Sequence, residues 1–363
     1  MVALRLRAPR GDRCARSRDA ARNPACRGRA DPARSCASRP DVEPGAVRSR
    51  PALAWLSLLL LACIASSLLL GSAQNPTAEI VLQIRLPRAL LAAIVGAGLA
   101  TAGALLQALL QNPLADPYVL GISGGAALAG VAALALGGGL WLGGSAVPLV
   151  AFAGALGASL LLYAIAAAGG RAPAHSLLLT GVVFNAFASS LIVFVTSAAD
   201  LSRVASVFLW LIGAIRPVEL PLIAGVAALS AIGLAIALRH AYALNLLAQG
   251  DATAAHLGVD VPQVRRNVLA ASALLIGASV AVSGLIGFVG LIVPHLVRLT
   301  IGSDHRTLLP ASALAGAAFL VSADTLARVV LAPIELPVGA LTALVGGPLF
   351  LVLLRRELSR LPS

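Results

Sequence analysis

The 363-residue chain is 59% hydrophobic and only 12% charged, with a mean hydropathy of +0.92. Soluble globular domains are about half apolar and about a quarter charged, so this composition indicates a membrane protein and argues against a soluble enzyme. All 27 basic residues are arginine, whereas a P-loop needs a lysine to reach the terminal phosphates of a nucleotide. If ATP drives this protein, a different polypeptide must bind it.

Residues 1–50 form an arginine-rich N-terminal tail. The tail holds 13 arginines against five acidic residues, which accounts for most of the net charge of +12. A segment of this kind without apolar periodicity is predicted to be disordered. We interpret it as a solvated basic flank on the cytoplasmic side of a membrane, with no nucleic-acid partner. Nucleic-acid binding by the tail and an over-extended start of translation are the alternatives.

Ten apolar stretches of roughly 20 residues follow the tail, and each is long enough to cross a bilayer as a helix. We therefore predict an all-α polytopic membrane protein whose ten-helix domain covers residues 51–356. The stretch near 286–302 is the weakest, because glycines and a proline interrupt it. The predicted segments are 51–71, 88–110, 118–137, 146–168, 176–197, 219–238, 265–284, 286–302, 309–331 and 338–354.

The distribution of arginine predicts the orientation of these segments. An even number of crossings places both termini on one side, and after the tail nine arginines fall in inner segments against five in outer ones. This fits the positive-inside bias if the termini are cytoplasmic. Residues 239–264 then form the longest inner loop, and residues 357–363 form a cytoplasmic C-terminal tail.

The second segment combines small side chains with polar ones. The small residues recur at the intervals that let another helix approach closely, at Gly96, Ala100 and Gly103. Three polar residues gather at the inner end of the segment, namely Gln107, Gln111 and Asn112. They line a cytoplasmic mouth or gate in one interpretation. They make hydrogen bonds at the helix end in the other, which we favour because polar groups routinely bridge membrane helices.

The third segment opens with Gly121-Ile122-Ser123-Gly124-Gly125, which matches the G-x-S-x-G pattern of a serine nucleophile. That elbow needs a strand before the serine and a histidine and an acid within reach. Here the motif opens a membrane helix instead, and its own hairpin contains no histidine. An intramembrane serine protease is therefore an alternative that we do not favour.

The inner loop contains the polar sequence AQGDATAAHLGVD at residues 248–260. Asp251 is a suitable N-cap, Ala252–Leu257 favour helix, and Gly258 suits the left-handed position after the helix. Two turns are too short to be stable alone in water. We expect a protein partner to hold this helix, because its small side chains and its lack of a Trp or Phe anchor argue against a helix that rests on lipid.

Charged residues near the outer surface form two groups. Arg85 and Arg88 flank Leu86-Pro87 before the second segment, against the positive-inside bias. Arg328 stands four residues after Asp324 in the ninth segment, a spacing that predicts an ion pair. An ion-coupled secondary transporter would use a membrane carboxylate to bind H⁺ or Na⁺. We do not favour that alternative, because Asp324 is predicted to be neutralised by its neighbour.

The sequence predicts no metal site and no cofactor. The four cysteines contain no C-x-x-C pair, so neither a zinc site nor a disulfide framework is indicated. The five histidines contain no H-E-x-x-H pair and no other metal-ligand spacing.

Four stretches of the chain carry a specific pattern, namely RLPRALLAAIVGAGLATAGALLQALLQNPLADPYVLGISGGAALAG (85–130), LNLLAQGDATAAHLGVD (244–260), GFVGLIVPHLVRLTIGSDHRTLLPASALAGA (287–317) and SADTLARVVLAPIELPVGALTALVGGPLF (322–350). They resemble the iron-chelate and vitamin B12 permease family (FecCD family) of ABC importers. The resemblance extends over nearly all of the chain from about residue 51 onward.

The resemblance implies the type II ABC importer permease fold in a bacterial cytoplasmic (inner) membrane. It implies four kinds of partner: a second copy of the chain, two cytoplasmic ATP-binding subunits, a periplasmic or surface substrate-binding protein, and membrane lipid. The chain would be a transport subunit rather than an enzyme. The expected cargo is an iron(III)-siderophore or haem, with cobalamin as the alternative.

The resemblance also assigns roles to particular residues. The inner loop would be the coupling helix that sits in a cleft of the ATPase, through Gly250, Asp251, Ala252, Ala255, His256, Leu257 and Gly258. Three outer arginines would meet acidic residues of the binding protein, namely Arg85, Arg88 and Arg328. Arginine suits that role, because its planar fork pairs bidentately with carboxylates.

Overall fold

The computed structural model describes residues 46–71, 77–118, 120–137, 146–168 and 173–358. These ranges contain thirteen helices and no strand. They are α1 (Ala46–Leu69), α2 (Ala78–Leu109, with a π-helical turn at Val81–Arg85), α3 (Ile122–Ala135), α4 (Ala146–Ala166), α5 (Ala174–Ser197), α6 (Leu201–Leu211), α7 (Leu220–Arg239), α8 (Ala241–Leu247), α9 (Asp251–His256), α10 (Val261–Ser283), α11 (Val289–Thr300), α12 (His305–Val329) and α13 (Val338–Leu358).

Ten of these helices correspond to the ten predicted segments, which confirms the all-α membrane fold. Seven are long and apolar enough to cross a membrane: α1, α2, α4, α5, α7, α10 and α12. Three are shorter apolar helices: α3, α11 and α13. Helix α1 begins at Ala46, inside the predicted tail. The remainder of that tail, residues 1–45, lies outside the described residues, as do residues 359–363 at the C-terminus.

Two of the shorter helices begin later than predicted, because a left-handed residue precedes each of them. Gly121 has a φ of 84° immediately before α3, and Phe288 has a φ of 69° immediately before α11. The 12 residues of α11 span only about 18 Å, which is less than the hydrocarbon core of a bilayer. The weakness predicted for the eighth segment therefore corresponds to a short helix.

Two helices lie where the sequence predicts none. Helix α6 has 11 residues, with Val207 buried while Phe208 and Leu209 are exposed. Helix α8 has seven residues and precedes α9 in the inner loop. Both are too short to register as membrane segments, which is why hydropathy alone does not reveal them.

Helix α2 packs closely against α11 and α12. Gly96 lies against the backbone of Gly316 in α12, and a Cβ at Gly96 would overlap that carbonyl group. Gly103 lies against Gly290 in α11 in the same way. These contacts confirm the close approach predicted from the small residues of the second segment. They hold α2 against α11 and α12, and these two helices supply partners for the polar side chains of α2 that are described below.

The polar groups gather at the two ends of this packed core. Following the predicted topology, we call the end at which α2 begins the outer end, and the end at which α2 stops the inner end. Helices α2, α10 and α12 are largely buried, whereas α1 and α5 lie at the periphery. The buried helices therefore position the side chains at both ends.

Candidate functional site

The inner end contains residues 241–260, which we call the coupling segment after the role predicted for them. Its helix α9 is six residues long and begins after Gly250, whose φ of 106° turns the chain. Gly258 has a φ of 86°, which confirms the predicted left-handed residue after the helix. The prediction that Asp251 is the N-cap is wrong. Gly250 occupies that position, because the Asp251 carboxylate is bound elsewhere.

A buried arginine holds the N-terminus of α9. Nη2 of Arg265 donates to both carboxylate oxygens of Asp251, at 2.8 and 2.7 Å. Arg265 lies in α10 and is only 6% exposed. Ala254, in the middle of α9, is fully buried and belongs to the hydrophobic core of the inner end. The short helix is therefore held by this chain itself, through one charged contact and one apolar contact.

Helix α2 contributes a further contact to the coupling segment. Gln111 follows the end of α2, and its side-chain amide donates to the main-chain oxygen of Leu247 at 2.8 Å. The same amide nitrogen lies 3.5 Å from Oδ1 of Asp251. The coupling segment thus contacts both α2 and α10.

Helix α8 is tied to the start of α12. The amide of Asn245 donates to Oδ1 of Asp304 at 2.7 Å, and its oxygen accepts from the main-chain N–H and from Nδ1 of His305 at 2.9 and 2.7 Å. Burial alone would raise the pKa of Asp304. Hydrogen bonds from the main-chain N–H of Arg306 and from Asn245 outweigh that effect, so the pKa lies below its ordinary value. Asp304 therefore stays ionised as the N-cap of α12.

The side of α9 that faces away from the bundle is open and lined mainly by small residues. Five of the predicted coupling residues are exposed there, together with Thr253: Ala252, Ala255, His256, Leu257 and Gly258. Asp251 is only partly exposed, because Arg265 binds it. A helix that is anchored on one side and open on the other has the geometry that docking into a partner requires.

The three predicted gate residues all make hydrogen bonds near the end of α2. Gln107 is buried and donates to the main-chain oxygens of Leu291 and Gly290 in α11, at 3.2 and 3.4 Å. Asn112 accepts from the main-chain N–H of Leu114 at 2.9 Å. These bonds support the interpretation of structural hydrogen bonding at a helix end.

The same three residues line a pocket of about 470 Å³ between α2, α8 and the turn that precedes α12. The other polar residues of its wall are Asn245, Gln249, Arg298, Ser303, Asp304 and His305. The gating role stays a prediction.

At the outer end, five charged residues form what we call the outer cluster: Arg85, Arg88, Asp324, Arg328 and Glu335. Asp324 is 1% exposed. It accepts from Nε of Arg88 at 3.1–3.2 Å and from Nη2 of Arg88 at 3.0 Å. Nη1 of Arg88 donates to Glu335 at 2.8 Å. Arg88 thus joins α2 to α12 and to the loop before α13.

The other two arginines of the outer cluster bind to α1 and α12. Nε of Arg328 lies 3.2 Å from Oδ2 of Asp324, which confirms the predicted ion pair, and its Nη2 donates to Oγ of Ser67 at 2.8 Å. Nη1 of Arg85 donates to the main-chain oxygens of Leu68 and Leu69, at 2.7 and 3.1 Å. The cluster therefore joins α1 to α2 and α12.

The predicted docking arginines are all buried, although docking calls for accessible guanidinium groups. Arg85, Arg88 and Arg328 are 4%, 9% and 5% exposed. Carboxylates and main-chain oxygens of the same chain occupy their guanidinium groups, as the sequence predicts for Arg328 with Asp324 but not for Arg85 and Arg88. The docking role itself stays a prediction.

Ser123 does not lie in the surroundings of a catalytic serine. It is buried, and its hydroxyl lies 3.5 Å from the main-chain oxygen of Pro117. A turn rather than a strand precedes it. In the described ranges no cluster of three or more His, Cys, Asp or Glu side chains could hold a metal ion.

Residues 53–356 match the model of the FecCD transport family. The chain belongs to the FecCD transport family. It is 40% identical over 333 residues to the hemin transport system permease protein HmuU of Yersinia pestis, covering 86% of this chain and 98% of that protein. It is 44% identical over 280 residues to the cobalamin import system permease protein BtuC of Halobacterium salinarum, covering 77% of this chain and 74% of that protein.

Two further relatives extend the comparison. The Fe(3+) dicitrate transport system permease protein FecD of Escherichia coli is 43% identical over 280 residues, which cover 76% of this chain and 85% of that protein. A solved structure of a metal-chelate type ABC transporter in an inward-facing conformation is 31% identical. It covers 84% of this chain and 98% of that chain, with a TM-score of 0.76.

Membership of the FecCD transport family confirms the resemblance found in the sequence. The chain is a multi-pass membrane transport subunit of the ABC permease type, and the family implies ATP-binding partner subunits and a substrate-binding protein. The matched region begins at residue 53, so the arginine-rich tail, residues 1–50, lies outside it.

Two residues of these sites could not be assigned from the sequence. Arg265 looks like one more positive residue at the inner end of a membrane segment, and its pairing with Asp251 joins residues 14 positions apart. Glu335 looks like part of an outer turn. Its only signal is a carboxylate close to the membrane surface, and its contact with Arg88 joins residues 247 positions apart.

Proposed function

We propose that this chain is the translocation subunit of an importer that moves a bulky chelated nutrient inward across the bacterial cytoplasmic membrane. An iron(III)-siderophore or haem is the first choice of cargo, and cobalamin is the second. The support comes from relatives whose names refer to hemin, cobalamin and Fe(3+) dicitrate. Both termini are assigned to the cytoplasm, in line with the distribution of arginine.

The observation that carries this proposal is the coupling segment. An importer that hydrolyses ATP on a separate subunit needs an element that passes movement from that subunit to the bundle. Helix α9 suits this role, because Arg265 and the core around Ala254 hold it from one side while Ala252 and Ala255 remain open on the other. Small side chains allow a partner cleft to close tightly around it.

The proposed importer contains two copies of the permease, with the pathway between them. Helix α5 supports this arrangement, because it is long, apolar and mostly unburied within one copy. Ser189 and Ser190 are exposed on it, where a single copy would present them to lipid. Polar and small side chains are favoured where one membrane helix packs on another, so a second copy would cover this face.

An ion-coupled carrier is disfavoured by the surroundings of Asp324. A proton-carrying carboxylate must gain and lose its charge during the cycle. Asp324 accepts hydrogen bonds from Arg88 and is ion-paired with Arg328, so both of its oxygens are engaged by these arginines. We therefore assign this carboxylate to the pairing of two arginines rather than to the binding of a transported ion.

Uptake by the reconstituted complex tests the proposal. The permease, its ATPase and its binding protein would be placed in proteoliposomes with labelled ferric siderophore, haem or cobalamin. We expect one of these chelates to accumulate when ATP is enclosed, even with the membrane potential collapsed. Accumulation that needs the potential and ignores ATP would instead identify a secondary carrier. No uptake of any of the three chelates would refute the assignment of cargo.

A further inference from the structure

Glu335 is the more accessible of the two carboxylates in the outer cluster. Its side chain is 46% exposed, whereas those of Arg88 and Asp324 are 10% and 2% exposed. It lies in the loop between α12 and α13, where Leu331 and Ile334 are also exposed. The contact between Nη1 of Arg88 and Oε2 of Glu335, at 2.8 Å, is therefore the part of the cluster that another protein can reach.

The three arginines of the outer cluster differ in the groups that they bind. The described bonds of Arg85 run to main-chain oxygens at the end of α1. Those of Arg328 run to the buried Asp324 and to Ser67. Arg88 divides its guanidinium between the buried Asp324, on the edge formed by Nε and Nη2, and the exposed Glu335 at Nη1. Glu335 can therefore leave Nη1 while Asp324 stays bound to Nε and Nη2.

We propose that Glu335 occupies the position on Arg88 that a carboxylate of the substrate-binding protein takes when that protein docks. This inference rests on the proposed function, because it assumes a binding protein that arrives at the outer end. Docking is then an exchange of one carboxylate for another at Nη1, while Asp324 holds the rest of the guanidinium in place. Glu335 acts as an internal competitor, and Arg88 is the arginine that selects the partner.

Exchange avoids leaving a mostly buried donor group without a partner. A buried N–H group without an acceptor costs free energy, and direct binding to a vacant Nη1 of Arg88 would require such a state beforehand, even though Asp324 remains bound to Nε and Nη2. With Glu335 present, the guanidinium remains paired before and after docking. The net gain from the contact is therefore small, which suits a partner that must dock and leave in every transport cycle.

The surface around Glu335 indicates the chemistry of the matching patch on the partner. Leu331 and Ile334 are 52% and 67% exposed beside it. The complementary surface is an Asp or Glu side chain surrounded by apolar residues, because apolar neighbours exclude water from a charged contact and strengthen it.

Binding measurements on the complete transporter test this proposal. The permease–ATPase complex would be placed in lipid nanodiscs, and the substrate-binding protein from the same gene cluster would be titrated onto it at low ionic strength. Two variants remove the competing carboxylate: Glu335→Gln, and Glu335→Ala, which also lacks the side-chain oxygen that Gln retains. Each should tighten binding about threefold to fivefold. That factor corresponds to one exposed ion pair.

Glu219→Gln is the matched control. Glu219 is an exposed carboxylate on the same predicted side of the membrane, before α7, so its loss changes the net charge by the same amount without affecting Arg88. We expect binding close to that of the wild type. Equal tightening in the Glu219 and Glu335 variants would show a general charge effect and overturn the proposal.

The remaining outcomes separate this inference from the proposed function. If the wild-type complex takes up cargo with this binding protein but Glu335→Gln and Glu335→Ala bind it with wild-type or weaker affinity, the competitor role is wrong and the importer assignment stands. If the wild-type complex neither binds nor is stimulated by the binding protein, the proposed function fails, and the inference fails with it.

Discussion

The two ends of the molecule use the same kind of contact for different purposes. At the inner end a buried arginine, Arg265, reaches outward to Asp251 on a short helix that is otherwise open. At the outer end both partners are buried, and Asp324 is enclosed by Arg88 and Arg328. The inner contact holds the short helix that we propose docks on the ATPase, whereas the outer contact fastens three membrane helices to each other. A charged pair near a membrane surface therefore does not reveal its role until the burial of each partner is known.

The largest expected effect comes from removing the carboxylate at the centre of the outer cluster. Asp324→Asn leaves two buried arginines facing a neutral amide, and breaking a buried pair of this kind costs about 3–5 kcal/mol. We expect a large loss of folded protein, measured by thermal unfolding of the purified permease in detergent. Glu219→Gln is the control, and it should unfold as the wild type does. A melting temperature of Asp324→Asn equal to that of the wild type would show that the outer cluster does not fasten the bundle.

The next effect concerns the open face of α9. Ala255→Arg and Ala252→Asp each place a long or charged side chain on the surface assigned to the ATPase, so uptake should be abolished while the permease still reaches the membrane. Ala255→Ser is the matched control for size and should retain most of the uptake. ATPase association would be measured by co-purification. Normal association together with wild-type uptake by Ala255→Arg and Ala252→Asp would remove this face from the mechanism.

A smaller effect is expected when the contact between Arg265 and Asp251 at the inner end is weakened. Arg265→Gln removes the charged contact with Asp251, so α9 should lose its fixed position, and uptake should fall about tenfold while the bundle remains folded. The tenfold estimate corresponds to about 1.4 kcal/mol, close to the lower end of the range for hydrogen bonds to a charged group. Uptake per ATP hydrolysed would be measured in proteoliposomes.

Arg266→Gln is the control for this experiment, because Arg266 is the neighbouring arginine and is exposed. It should leave both uptake and its coupling to ATP close to wild type. Equal losses in the Arg265 and Arg266 variants would indicate that positive charge near the inner surface matters, rather than the contact with Asp251.

The smallest effect is expected between the two ends. Ser123→Ala removes a buried hydroxyl whose one described contact is 3.5 Å long. Because so long a contact is a weak hydrogen bond, uptake should stay within about twofold of wild type. The measurement is uptake at matched expression. Complete loss of uptake with normal assembly would restore the hypothesis of a catalytic serine.

The sequence predicts the membrane helices well, because length and hydropathy are properties of a single segment. It also predicts the contact of Arg328 with Asp324, since residues four apart on a helix are neighbours. It misplaces Asp251 as an N-cap, because local sequence contains no information about Arg265 on the next helix. The sequence also predicts that Arg88 is open for docking, for the same reason. The partners of Arg88, Asp324 and Glu335, lie more than 230 positions away.

Helix α2 connects the two ends of the molecule mechanically. It contains Arg88 in its first third, and Gln111, which contacts the coupling segment, follows its end. Gly96 and Gly103 press its middle against the backbones of α12 and α11, so α2 has little freedom to bend and behaves as a stiff rod about 48 Å long. Events at its two ends are then thermodynamically linked. If docking outside changes the affinity of the inner face for the ATPase, engagement of the ATPase must change the affinity of the outer face for the binding protein by the same factor.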